Sequence, residues 1–345
     1  MSPTAPLPGN GILAVHAHPD DETLTHGATL ALWARAGQPV TIVTCTRGEQ
    51  GEVIPPELKY LEGDGPALAA VREKELAAAT RALGVSAQVF LDQLPLIKDG
   101  AAHLPEQTAP QVATRYEDSG MVWLAHGAAG TATAAPSSLI AADLELAARR
   151  LAALIRRTRP RFLLTYEPGG GYGHPDHVRA REIAVRSAEI AADLSWNSGT
   201  LPWSVPALLG SVVPAAILRD ARTELATRHA AGQIPGTEHL QAETARDGLP
   251  ALAREDAAEV LELDVGHSDI LAARAAALRA HHTQVQAVRT FTPQTAAPYL
   301  AGAYGLSNDF YSPLFARDFY LPDPQWQSVA LTSADLIPPA PSPET

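Results

Sequence analysis

The strongest constraint on this chain is an alternation, over its first two hundred residues, of short, almost unbroken apolar runs with longer stretches of helical spacing. GILAVHAH (11–18), PVTIVTCT (39–46), AQVFLD (87–92) and RFLLTYEP (161–168) read as strands covered on both faces. Between them, ETLTHGATLALWARAG closes on Gly37 and ALAAVREKELAAATRALGV on Gly84, both helix stops; SSLIAADLELAARRLAALIRRTRP and HVRAREIAVRSAEIAADL read as two further helices. Such alternation predicts an α/β fold: a Rossmann-like, mostly parallel sheet flanked by helices across roughly 1–200. Ligands in such sheets gather at the C-terminal strand ends.

Two stretches of this core depart from the pattern. TRGEQGEVIPPELKYLEGDG (46–65) is a long loop of glycines and prolines amid charges, and a loop that long in a compact domain suggests binding. Residues 93–136 are polar and Gly- and Pro-containing, an excursion over the sheet. After about 200 the pattern changes. PALLGSVVPAAILRD and VLELDV are candidates for further strands, and DILAARAAALRAHH for a helix. The expected organisation is a catalytic core over 1–200, a smaller C-terminal α+β segment over 201–334 helping to close the substrate site, and a Pro-rich tail over 335–345. No repeat of fixed period is visible.

Composition limits the partners. The chain has 345 residues with 26 Lys+Arg against 38 Asp+Glu, a formal charge of −12, which disfavours nucleic acid or an anionic membrane surface. A small-molecule partner fits better. The opening residues lack a signal-peptide pattern, and no run of 18 or more apolar residues lacks a charge, so a cytoplasmic location is expected. The lone Cys45 rules out an intramolecular disulfide and a thiolate zinc site, and reads as a small buried hydrophobe.

Two clusters carry chemistry. The first, His16-Ala-His-Pro-Asp-Asp-Glu22, lies at the mouth of the first strand. His18 would end that strand and Asp21 open the next helix, so both can converge on one metal ion. Adjacent Asp20 and Asp21 cannot point the same way; if one carboxylate binds a cation, the other is free to face bound water. Helix capping would account for the acids but not for His18. The second cluster, Gly169-Gly-Gly-Tyr-Gly-His-Pro-Asp-His177, also follows a strand and opens a helix, with Pro175 suited to the first turn. His177 would then be a third ligand, and two His with one carboxylate leave the open position of a catalytic zinc. The glycines could instead cradle a phosphate, although a dinucleotide fingerprint belongs at the first strand-to-helix turn, which here is HPDDE.

HAHPDDE, VTCTRGEQGEV, EDSGM, GGGYGHPDH and AHHTQV, in that order, resemble the LmbE-like (PIG-L type) de-N-acetylases over most of the chain. The wording GYGHPDH, DSGM and TQV is nearest the branch that deacetylates N-acetylglucosaminyl-inositol in mycothiol biosynthesis. Mycothiol S-conjugate amidases share the H-P-D-D and H-P-D-H ligands, and bacillithiol-type deacetylases match less well. The resemblance implies one divalent metal ion, zinc or alternatively iron(II), held by His18, Asp21 and His177. It implies metal-activated water attacking an acetamide with Asp20 as general base, and Tyr172 and His174 as oxyanion stabilisers, with His174, if protonated, helping the amine to leave. Asp176 would orient a histidine, as carboxylates do around metals. Arg72, Asp118 and Gln284 would bind the hydroxyls of an amino-sugar conjugate. The alternative of another class is a metal-binding Rossmann-like module without turnover, which would have no need of Asp20 beside an intact ligand set. His16 is second to the ligand or core, and His26, His281 and His282 read as surface or packing residues.

Overall fold

The computed structural model describes residues 9–97, 115–123, 129–130, 135–243, 248–292, 297–326 and 330–340. In chain order the elements are β1 (Ile12–His16), α1 (Asp21–Arg35), β2 (Val40–Thr44), α2 (Gly65–Leu83), β3 (Ala87–Phe90), the two-residue strands β4 (Val122–Trp123) and β5 (Ala129–Gly130), α3 (Leu144–Thr158), β6 (Phe162–Tyr166), α4 (Gly170–Gly173) and α5 (Pro175–Ala192). They continue with β7 (Ala207–Pro214), α6 (Ala215–Ala230), β8 (Ala253–Arg254), β9 (Leu261–Asp264), α7 (Ser268–Ala280), β10 (Gln286–Thr290), β11 (Leu300–Gly305), β12 (Tyr311–Phe315) and β13 (Arg317–Pro322).

The main sheet runs β3-β2-β1-β6-β7-β13-β9, with β8 also on β7. Neighbours from β3 to β7 are parallel, whereas β13 is antiparallel to both β7 and β9. This is the expected Rossmann-like α/β fold, and strands from beyond residue 200 extend the same sheet. Alternate side chains of β1 leave on opposite faces. Leu13 and Val15 pack with Leu151, Ile155 and Ile183 of α3 and α5, in the cluster that also takes Cys45. Ile12 and Ala14 pack with Leu30 and Trp33 of α1 and Ile270 of α7. A sheet covered on both sides needs apolar residues at every strand position, which is why those runs lack alternation.

Helix ends follow local chemistry. Asp64 caps α2 through the Ala67 N–H at 3.1 Å, and Gly84 closes it in the left-handed region at φ 75°. The third expected helix starts later than its apolar spacing suggests. Residues Leu139–Ala141 form a separate 3-10 turn, and α3 begins after Asp143, whose carboxylate accepts the Leu146 N–H at 3.0 Å. PALLGSVVPAAILRD divides into β7 and the start of α6 at Pro214, since the proline cannot donate to a continuing ladder. The C-terminal segment also holds the antiparallel sheet β10-β11-β12, whose Leu300, Tyr311 and Phe315 pack on Leu218 and Leu225 of α6.

At the Pro-rich end, the Leu336 carbonyl accepts the Trp33 indole N–H at 2.9 Å and the Pro339 carbonyl accepts from Gln38 at 3.2 Å; residues 341–345 lie outside the described residues. So do 98–114, 124–128 and 131–134 of the polar excursion. No helix among the described residues is long and apolar enough to cross a membrane.

Candidate functional site

Strand order creates the site. The sheet grows one way from β1 through β2 to β3 and the other way from β6 through β7, so β1 and β6 flank the point where the order reverses. HPDDE follows β1 and GGGYGHPDH follows β6, and parallel pairing of the two strands brings both motifs to one edge. The Ala17 N–H donates to the Tyr166 hydroxyl at 2.9 Å, tying the two strand ends together.

His18, Asp21 and His177 are buried and meet there, offering ligand atoms within 4.8 Å of one another. The hydrogen bonds of each ring decide which nitrogen is bare. His177 Nδ1 lies 3.1 Å from the Gly170 carbonyl, which can only accept, so the neutral ring keeps its proton on Nδ1. Its Nε2 is buried without a hydrogen-bond partner among the described residues, 3.3 Å from Asp21 Oδ1. His18 Nε2 likewise donates to Asp176 Oδ2 at 3.1 Å, leaving Nδ1 3.3 Å from Asp21 Oδ2. Two imidazole lone pairs thus face one carboxylate, which needs positive charge between them: a proton or a metal ion. The donor set fits a divalent metal ion with room for further ligands. Against the upward push of burial, His177 and then His18 hold Asp21 well below the usual carboxylate range.

Gly170 makes this geometry available. Its φ of 69° turns the carbonyl towards His177, and a Cβ there would stand 2.9 Å from the Val178 backbone nitrogen. Glu167 braces the loop, its carboxylate accepting the N–H groups of Gly169 at 2.6 Å and Gly171 at 2.8 Å.

Asp20 stands at the capping position of α1 with φ 122° and makes no side-chain cap bond. A non-glycine residue in that region is strained and persists only where its surroundings hold it. The Asp20 Oδ2 lies 3.2 Å from the Arg72 guanidinium, and Arg72 also donates to the Gly48 carbonyl at 2.9 Å and to Pro19. Arg72 is buried, in a slot so tight that a Cβ on Gly48 would fall 1.9 Å from its Nη1. Burial pushes the Asp20 carboxyl up to about 6 against the pull of Arg72.

Asp176 accepts from His18 and, at 2.9 and 2.5 Å, from the backbone and hydroxyl of Ser119. His174 Nδ1 accepts the Asp176 N–H at 3.1 Å, so a neutral His174 carries its proton on Nε2. Burial, then His18 and His177, lower that imidazole to about 2. The Tyr172 ring meets those of His174 and His177 edge-on, with centroids 5.9 and 5.1 Å apart, and burial raises its phenol, which stays protonated. Asp118 Oδ1 is 3.6 Å from His18 Nε2, and its carboxylate accepts from Gln50 and Gly120 backbone at 3.2 and 2.8 Å. Gln284 donates to the Glu52 carbonyl at 2.8 Å, and a Cβ on Gly51 would meet both Gln284 and Arg72.

Several residues without an expected role join this network. Glu22 and His281 form a buried pair at 2.7 Å. Packing or surface was expected for His281; instead its imidazole is spent on a carboxylate of the first motif. Glu22 was visible in HPDDE, but nothing in the spacing ties it to a residue so distant. His16 and His26 are both buried, with His16 Nε2 3.3 Å from His26 Nδ1, whereas His282 is exposed. Ser119 lay within EDSGM, and a lone serine carries no signal of the carboxylate it will meet.

The family described as "PIG-L: GlcNAc-PI de-N-acetylase" matches residues 13–188. A protein of Streptomyces avermitilis named 1D-myo-inositol 2-acetamido-2-deoxy-alpha-D-glucopyranoside deacetylase is 39% identical over 319 residues, covering 91% of this chain and 92% of its own. Proteins of the same name from Kineococcus radiotolerans and Thermomonospora curvata are 43% and 36% identical, covering 90% and 92% of this chain and 76% and 93% of theirs.

Proposed function

The chain belongs to the PIG-L family of GlcNAc-PI de-N-acetylases, and on that premise we propose that it hydrolyses the acetamide of 1D-myo-inositol 2-acetamido-2-deoxy-α-D-glucopyranoside, releasing acetate and the free amine. The observation that carries this reading is a ligand triad, His18, Asp21 and His177, with a second carboxylate, Asp20, held beside it by Arg72. A divalent ion on that triad, zinc in our reading, would supply Lewis acidity towards the acetamide carbonyl and towards water.

The chain's own residues account for the rest. Asp20, kept free of capping by its backbone, takes the proton from the attacking water as general base, and Arg72 favours the ionised form that can do so. The carbonyl oxygen gains charge as water adds. His174 donates to it from Nε2, a role supported by the Asp176 N–H on Nδ1, and the protonated Tyr172 hydroxyl is the second donor. The amine then leaves with the proton collected at Asp20. Asp176 aims His18, supported by its bond to Nε2.

Asp118 and Gln284 are our assignments for the sugar and inositol hydroxyls. Arg72, buried against the carbonyls of Gly48 and Pro19 and the carboxylate of Asp20, is better assigned to holding Asp20. The core of 1–200 would hold ion and base while 201–334 closes the substrate side through Gln284, a division supported by its contacts with Gly51 and Glu52. We place the reaction in the cytoplasm, in keeping with a chain whose one cysteine is free and buried.

Metal analysis and release of free amine from the acetylated sugar, comparing the parent with Asp20→Asn, test this reading. The variant should keep one ion per chain and lose about 10²–10⁴-fold in kcat. Parental turnover in a metal-loaded variant would refute the assignment, and preferential cleavage of a thiol-conjugate amide would move the substrate to the amidase branch.

A further inference from the structure

We propose that Glu22 and His281 form a positioning pair that fixes the strained backbone of Asp20, so that the C-terminal segment sets the aim of the base. The inference rests on the reading of Asp20 as general base.

Asp20 is held at φ 122° with no cap bond from its own side chain, so something else must hold it. Its N–H donates to Glu22 Oε2 at 2.9 Å. The other oxygen, Oε1, accepts from the Thr23 hydroxyl at 2.6 Å and from His281 Nε2 at 2.7 Å. Glu22 and His281 are both fully buried, and a buried carboxylate at this position is tolerable only with such partners. Removing His281 would leave Glu22 with an uncompensated charge, free to swing away from the Asp20 amide.

His281 is itself anchored. It follows α7, and its carbonyl accepts the N–H groups of Gln284 and Val285 at 3.0 and 2.8 Å, forming a tight turn. Two residues on, Thr283 gives its N–H and hydroxyl to the carboxylate of Glu75 at 2.8 and 2.7 Å. Glu75 lies one turn along α2 from Arg72, whose guanidinium faces the Asp20 carboxylate at 3.2 Å. The turn 281–284 therefore grips Asp20 from two sides, through Glu22 at its amide and through α2 at its carboxylate.

A structural ion pair would contribute stability without aiming anything, and the test separates the two. In metal-loaded protein, Glu22→Ala and His281→Ala should each lose about 100-fold in kcat, the scale of a misplaced reacting group, with KM changed less than about threefold. The double variant should lose no more than the worse single one, as expected of residues acting as a unit. His281→Gln, which keeps a donor towards Glu22, should recover about tenfold or more of the His281→Ala loss. Independently of activity, the Asp20 amide should exchange with solvent about tenfold faster in metal-free Glu22→Ala than in the parent, because its acceptor is gone. Should Glu22→Ala not fold, His281→Ala decides through the same readouts. Parental kcat with metal bound, a loss confined to metal content or KM, or unchanged exchange at Asp20 would each overturn the proposal. If the parent releases no amine from any N-acetylated sugar, the reading of the reaction fails, while the exchange result still judges the pair.

Discussion

Hydrogen bonds to fixed neighbours decide the tautomers of three histidines at the centre. The Gly170 carbonyl, Asp176 Oδ2 and the Asp176 N–H select the protonated nitrogen of His177, His18 and His174 respectively. Burial opposes a charge on His281, but Glu22 raises it above its ordinary value of 6.5, and His281 in turn lowers Glu22 from 4.5. A raised histidine stabilises the fold below its unfolded value and loses that contribution as pH rises through its folded value; a lowered carboxylate contributes above its unfolded value and loses as pH falls. The unfolding free energy of the parent relative to His281→Gln should therefore be greatest between the two ordinary values, 4.5 and 6.5, and shrink as pH rises above 6.5 through the raised value of His281. Urea titrations across that range check this, and a difference that stays constant on the alkaline side would contradict a charged pair.

Among the elements, the turn into α5 brings the most candidate site residues together. Gly170→Ala puts a Cβ 2.9 Å from the Val178 nitrogen at a φ of 69° and must shift the carbonyl that orients His177. We expect metal affinity to fall by about 10–100-fold, as when a ligand loses its orienting partner, measured by competition with a chelator. Asp143→Ala is the matched control. It removes the cap of α3 at an exposed residue whose carboxylate accepts from Leu146, and should cost about 1 kcal/mol in denaturant unfolding while leaving metal affinity at the parental level. Helix stops at Gly37 and Gly84 and the proline at the start of α5 were legible because they act through neighbouring backbone. The start of α3 was not, because apolar spacing alone does not separate a 3-10 turn from the helix behind it.

For the molecule as a whole, the chain's end closes the face built by α1 and α7. Leu336 is buried in that apolar cluster and its carbonyl takes the Trp33 indole N–H at 2.9 Å. Ending the chain at residue 330 should therefore cost at least about 2 kcal/mol, from lost leucine burial and a stranded indole donor. The midpoint of urea unfolding measures it, and an unchanged midpoint would show that the end contributes nothing. The sequence by itself determined the α/β class, since both-face burial demands unbroken apolar strands, and it presented the candidate ligand types of HPDDE and GGGYGHPDH, since residue types and turn residues are local properties. Only the tertiary structure decided that β6 lies beside β1, that β13 returns antiparallel into the same sheet, and that Arg72 turns inward to Asp20 while His281 reaches Glu22. Those contacts join residues far apart in the chain, and their partners are chosen by strand order and by the cost of leaving a buried charge alone, neither of which has a spacing to read.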